Sequence, residues 1–174
     1  MLYDAMLARA LAREVFNFGF AGVGTMELAV AAFLCDIPRG RVAAFVVDCV
    51  PDMDAETVAN RTRPLVAALR ACGHATTPIV LAEGTPQPYT WFRGARAHDA
   101  RNAALREQYD ALVADGDAHL HYVAERDLFG GAPWDRDDTD ENPTVGGTHP
   151  SDLGEYDVAL FYEGFLGQLL DGAA

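Results

Sequence analysis

A chain of 174 residues that is 50% hydrophobic can bury a real core, which excludes a disordered chain. Its formal net charge is −13, carried against 13 arginines and no lysine, so it offers no basic footprint for nucleic acid or an anionic membrane. No apolar run reaches the ~20 residues that span a bilayer. Met1-Leu2-Tyr3-Asp4 lacks the positive start of a signal peptide. Cys35, Cys49 and Cys72 have no CxxC spacing and read as buried thiols of a reducing, cytoplasmic compartment.

In chain order, Ala5 to Arg13 carries helical spacing through Met6, Leu7 and Leu11. Val15 to Phe18 is a short strand candidate that runs into Gly19, Gly22 and Gly24. Thr25 is placed to cap a helix reaching Cys35, with Glu27 in its first turn. Arg41 to Cys49 is apolar and β-branched, the pattern of a strand buried on both faces. Pro51 to Met53 is a turn, and Asp54 caps a helix to Ala71 in which Pro64 predicts a kink or a late restart. Gly73 fits the position just past that helix. Ile79 to Ala82 is the next strand, followed by a Pro-rich loop with Tyr89, Trp91 and Phe92. A long helix over Ala95 to Ala114 and a strand over Leu120 to Val123 follow. After a Gly-, Pro- and Asp-rich loop from Phe129 to Thr148, the last helix covers Ser151 to Leu170.

Strands alternating with helices predict a single α/β domain, a three-layer α/β/α sandwich on a parallel sheet. Ligands of such sheets sit beyond the carboxyl ends of the strands. The loops over Gly19–Gly24, Pro51–Met53 and Gly84–Gly94, with the loop before His149, are expected to converge there.

Three segments, in this order, resemble the blocks of the SGNH (GDSL-type) hydrolases, a family of flavodoxin-like topology. Asn17-Phe18-Gly19-Phe20-Ala21-Gly22 looks like the second block, where a glycine N–H helps form the oxyanion hole; Gly22 falls on that position. Asp48-Cys49-Val50-Pro51-Asp52-Met53 looks like the third block, with Asp52 where the family has asparagine. Gly146-Gly147-Thr148-His149-Pro150-Ser151-Asp152-Leu153-Gly154 looks like the fifth, with His149 on the catalytic histidine and Gly146 on the orienting acid. The family's nucleophile follows a first strand that precedes a helix like Ala5–Arg13. The resemblance therefore implies a domain over 1–174 that lacks this strand, which would lie between the strands at 15–18 and 42–48. It equally lacks the serine, because Ser151 is the only serine of the sequence. It implies a serine esterase scaffold for a small ester or acyl ligand, catalytically impaired, with no cofactor or metal.

Alternatives rest on the same residues. The scaffold could be a non-catalytic module that binds a small acyl or carbohydrate-like ligand. A plain flavodoxin-like domain is disfavoured, since no phosphate-binding fingerprint follows any strand. Ser151 reads as a helix N-cap, and Gly22 alone could be an ordinary turn glycine. Tyr89, Trp91 and Phe92 could line an apolar pocket or simply pack a loop. The acidic run Asp135 to Glu141 fails the EF-hand spacing, and His119 with His121 offers two ligands without a third.

Overall fold

The computed structural model describes residues 3–85, 96–124, 127–128 and 143–172. They form two compact units, one over Gly19–Gly84 and Ala95–Val123, the other gathering what is described of Met1–Phe18, Thr85–Gly94 and Ala124–Ala174.

The first unit is built on a three-stranded parallel sheet, β1 (Phe45–Val47), β2 (Ile79–Ala82) and β3 (Leu120–Val123), in that spatial order. The registers align Phe45, Ile79 and Leu120 in one row and Val47, Leu81 and Tyr122 in another. A strand's side chains alternate, so both rows share one face. That face joins one core with Val58, Leu65, Val66 and Leu69 of α3 (Ala55–Ala71) and Leu105 of α4 (Arg96–Ala114). Ala31 of α2 (Leu28–Cys35) completes it. β2 is buried at every position, as its unbroken Ile-Val-Leu-Ala run requires of a central parallel strand. The α/β class with a parallel sheet flanked by helices is thus as expected.

Local chemistry explains the helix ends. Asp54 caps α3 by accepting from the Thr57 N–H at 2.7 Å, and hydrogen bonding with the Thr57 side chain, then with that N–H, lowers its pKa. At the other end Gly73 takes φ +112°, with His74 N–H bonded to Leu69 O and Gly73 N–H to Arg70 O, a Schellman closure that a side chain would strain. α3 runs unbroken through Pro64, so no restart occurs. Pro64 and Asn60 are both exposed, leaving the freed Asn60 carbonyl open to water.

In the second unit α1 (Tyr3–Ala10) packs on α5 (Asp152–Asp171). The Tyr3 N–H donates to Glu155 Oε2 at 2.7 Å, and the rings of Tyr3 and Tyr162 stack 5.7 Å apart. Ser151 caps α5, its Oγ accepting from the Gly154 N–H at 3.3 Å. Replacing Ser151 with alanine should cost about 1 kcal/mol, read as a lowered urea midpoint with an unchanged slope. A loss of several kcal/mol would mean the hydroxyl does more than cap.

Four expectations need correction. Val15 to Phe18 is not a strand: Asn17 donates to Asp4 Oδ2 at 2.8 Å, and Phe16 and Phe18 stack on each other, so these side chains find partners outside any sheet. No strand therefore forms between it and β1, or pairs with it, among the described residues. The strand read over 41–49 shrinks to Phe45–Val47, because the Pro38–Arg41 turn takes its start into a 3-10 helix. Thr25 does not cap α2; Glu27 holds that position without a side-chain cap bond. Cys35 and Cys72 are not free thiols but a disulfide, with Cα atoms 5.7 Å apart, leaving Cys49 free.

Candidate active site

The sequence named seven residues for the site, and the structure describes four of them. Gly22 and Asp52 belong to the sheet unit, Gly146 and His149 to the other. Tyr89, Trp91 and Phe92 lie outside the described residues, as does the Asp135–Glu141 run.

Asp52 ends a 3-10 turn over Val50–Asp52, directly beyond the carboxyl end of β1. That is the edge where parallel sheets hold ligands. Arg101 fixes this turn by donating to Pro51 O at 3.0 Å. The Asp52 carboxylate is exposed, and its Oδ2 accepts from the Gly24 N–H at 3.3 Å. A Cβ at Gly24 would sit 3.3 Å from Phe20 O and 3.5 Å from Asp52 Oδ2, so glycine permits this close approach. The second- and third-block segments of the resemblance thus meet through one hydrogen bond. Gly22 itself is the third residue of a Phe20–Val23 turn, closed by Val23 N–H to Phe20 O at 2.9 Å, with φ +77°. A positive φ there is what a type II turn demands of glycine.

The loop continues into a second set of ties that the sequence did not signal. Arg61 donates to Thr25 O at 2.8 Å and reaches Glu27 Oε1 at 3.3 Å. Thr25 also donates its hydroxyl to Glu27, a bond that holds the Glu27 carboxyl below its ordinary pKa. Between them Met26 has φ +56°, rare for a side chain of its size, while its side chain is buried and touches the Thr62 hydroxyl. Backbone strain of this kind costs of order 1–3 kcal/mol and persists only where its surroundings impose it.

Gly146 and His149 sit on a hairpin of β4 (Thr144–Val145) and β5 (His149–Pro150), paired antiparallel with Val145 opposite His149. Gly146 and Gly147 take φ +62° and +76°, and Thr148 N–H closes the turn on Val145 O at 3.3 Å. Two consecutive left-handed residues favour glycine at both places. His149 is exposed, immediately before the Ser151 cap of α5.

The sequence leaves Ser151 and Cys49 as candidates for a nucleophile. The Ser151 Oγ accepts the cap bond. Burial, with Asp48 and Asp52 nearby, pushes the Cys49 thiol up to about 11, far from a reactive thiolate at neutral pH. His121 is pushed down by burial and by His119, and no three His, Cys, Asp or Glu side chains gather to hold a metal among the described residues. An open cavity of about 380 Å³ between α1 and α5 is lined by Met6, Arg9, Tyr156, Leu160 and Glu163, and His149 is not in its wall. No helix among the described residues is long and apolar enough to cross a membrane.

A parallel-sheet domain with a glycine loop and an acidic turn at one strand end, and a histidine on a hairpin before a capped helix, defines an SGNH-type hydrolase scaffold. The chain belongs to the GDSL-like lipase/acylhydrolase family, whose model matches residues 1–166. It is similar to a candidate GDSL-like lipase from Bacteroides ovatus ATCC 8483, with 30% identity and a TM-score of 0.84 over 97% of this chain and 47% of that one. It is also similar to the salicylyl-acyltransferase SsfX3 of a tetracycline biosynthetic pathway. There the identity is 19% and the TM-score 0.76 over 96% of this chain and 48% of that one, a likeness of fold alone. The chain spans about half the length of each of these solved chains. No curated protein matches it.

Proposed function

We propose that these residues form a serine esterase scaffold for a small ester or acyl ligand, and that on their own they are catalytically impaired. In the intact reaction a serine attacks the ester carbonyl, and water then releases the acyl group. His149 would take and return the proton, and the Gly22 N–H would steady the oxyanion. In this reading Gly22, Asp52, Gly146 and His149 stand at the family's site positions, and Tyr89, Trp91 and Phe92 would contact the acyl group.

The observation that carries the reading is the bond from the Gly24 N–H to Asp52. It joins the two segments that resemble the family's second and third blocks. It also leaves a carboxylate, which only accepts hydrogen bonds, where an amide would donate to the oxyanion. The strained Met26 in the same loop supports a site there, because such strain concentrates at functional positions. The missing donor equally favours the second reading, a module that binds an acyl or carbohydrate-like ligand without turning it over. Neither reading needs a cofactor, a metal or a nucleic-acid partner. A cytoplasmic location rests on reading the cysteines as thiols, and the Cys35–Cys72 bond weighs against it, since such bonds are rare in the cytosol.

A serine-directed fluorophosphonate probe tests the proposal. The expected result is no covalent labelling of the purified chain, with or without heat denaturation as the control. Labelling that maps to Ser151 and disappears in His149→Ala would overturn it, because a working nucleophile and base would then be present.

A further inference from the structure

We propose that the Cys35–Cys72 bond is a redox-operated clasp, opened by a dithiol reductant to free the carboxyl end of α2 from α3. This inference stands independently of the esterase reading. α2 has eight residues, too few for a helix to be stable without packing. It has no side-chain cap, Ala31 is its one buried residue, and Leu28 and Phe33 are each 56% exposed. Its two ends are held differently. The amino end is tied through Arg61 to Thr25 and Glu27 and through the buried Met26. Past the carboxyl end, the N–H groups of Asp36 and Ile37 bond only to Phe33 O and Leu34 O, within the helix's own last turn. The covalent tie from Cys35 to Cys72, the C-cap of α3, spans 37 residues and adds to the packing of the partly buried Leu34 and Cys35 on the core.

Both cysteines are half-exposed residues, and thiol–disulfide exchange depends on such access. One thiolate of the reductant attacks either sulfur and expels the other as thiolate, giving a mixed disulfide. The reductant's second thiol then displaces the remaining cysteine. The cysteine pair gains two electrons and two protons, and the reductant leaves as its own disulfide. Cys49 does not compete, because burial keeps it protonated.

The test is intact mass after iodoacetamide, before and after dithiothreitol, joined to hydrogen–deuterium exchange on the whole chain. Without reductant at most one adduct is expected; after reduction two more should appear. Exchange within Leu28–Cys35 should then rise about tenfold or more, while the core amides of α3 hold their protection. The Cys35→Ser/Cys72→Ser double variant should show the raised exchange without reductant. If that variant does not fold, reduction of the native chain still decides. Three adducts without reductant, unchanged exchange in α2, or a rise shared equally by α3 would each overturn the clasp.

Discussion

Replacing Arg70 with alanine should cost about 3–5 kcal/mol, because it strips the partner from a largely buried charge. Arg70 and Asp117 side chains are only 16% and 14% exposed, and they meet through Nε to Oδ2 at 2.9 Å and Nη2 to Oδ1 at 3.0 Å. The same guanidinium donates to His74 O and Thr77 O at 2.6 Å and to His119 O at 3.1 Å. One side chain thus joins the end of α3 to the segments that lead into β2 and β3. Lysine cannot reproduce this planar array of donors, so Arg70→Lys should recover only a small part of the loss. Burial alone would raise the Asp117 carboxyl, but the Arg70 hydrogen bonds and the His119 N–H bring it below its ordinary 3.8. A depressed acid stabilises the fold fully above its unfolded pKa and loses that contribution as pH falls through the lower folded value. The wild type should therefore hold this contribution in full at pH 7 and lose it progressively as pH falls below 3.8, whereas Arg70→Ala, already without it, should show a lower midpoint and a flatter profile over that range. Urea melts at pH 7 and an acid titration read both. A loss under 1 kcal/mol would show that the pair behaves like an exposed one.

What could be read from residues alone depended on whether the deciding interaction was local. Asp54 and Ser151 cap helices because a short acceptor three residues before a free N–H needs no distant help. The run Ile79–Ala82 announces a central strand because its composition already matches burial on both faces. Val15–Phe18 is apolar enough to suggest a strand, yet a strand exists only by pairing, and here Asn17 is taken by Asp4 of α1. Thr25 looks like a cap until Arg61, 36 residues on, claims its carbonyl. The Cys35–Cys72 bond has no sequence signature, since its 37-residue span is closed by the packing of α2 on α3. For the candidate site, the resembling blocks pointed to Gly22, Asp52, Gly146 and His149. Gly24, Met26 and Arg61 emerged only from the folded loop, through a hydrogen bond, a positive φ and an ion pair.

Restoring the family's residues at positions 52 and 146 should leave ester turnover at background. Asp52→Asn keeps an oxygen to accept from Gly24 and adds an amide donor, so the loop should hold its place. Gly146→Asp meets nothing within 4 Å of its new Cβ, but φ +62° makes any side chain costly there, aspartate less than most. The double variant therefore regains a donor and an orienting acid, and both act on charge that appears only after a nucleophile attacks. Ser151 is occupied with its cap and Cys49 stays protonated, so no attack occurs. Supplying a strand and Gly-x-Ser turn ahead of α1 should raise turnover only modestly alone. Combined with the two substitutions it should give about 10³-fold or more, because groups that act as a unit are strongly non-additive. A fluorogenic short-chain ester, assayed on the double variant, the extended chain and their combination, measures this. Robust turnover by the double variant alone would mean that a residue already present attacks the ester. Ser151→Ala and Cys49→Ala would then identify it, and the impaired-scaffold reading would fall.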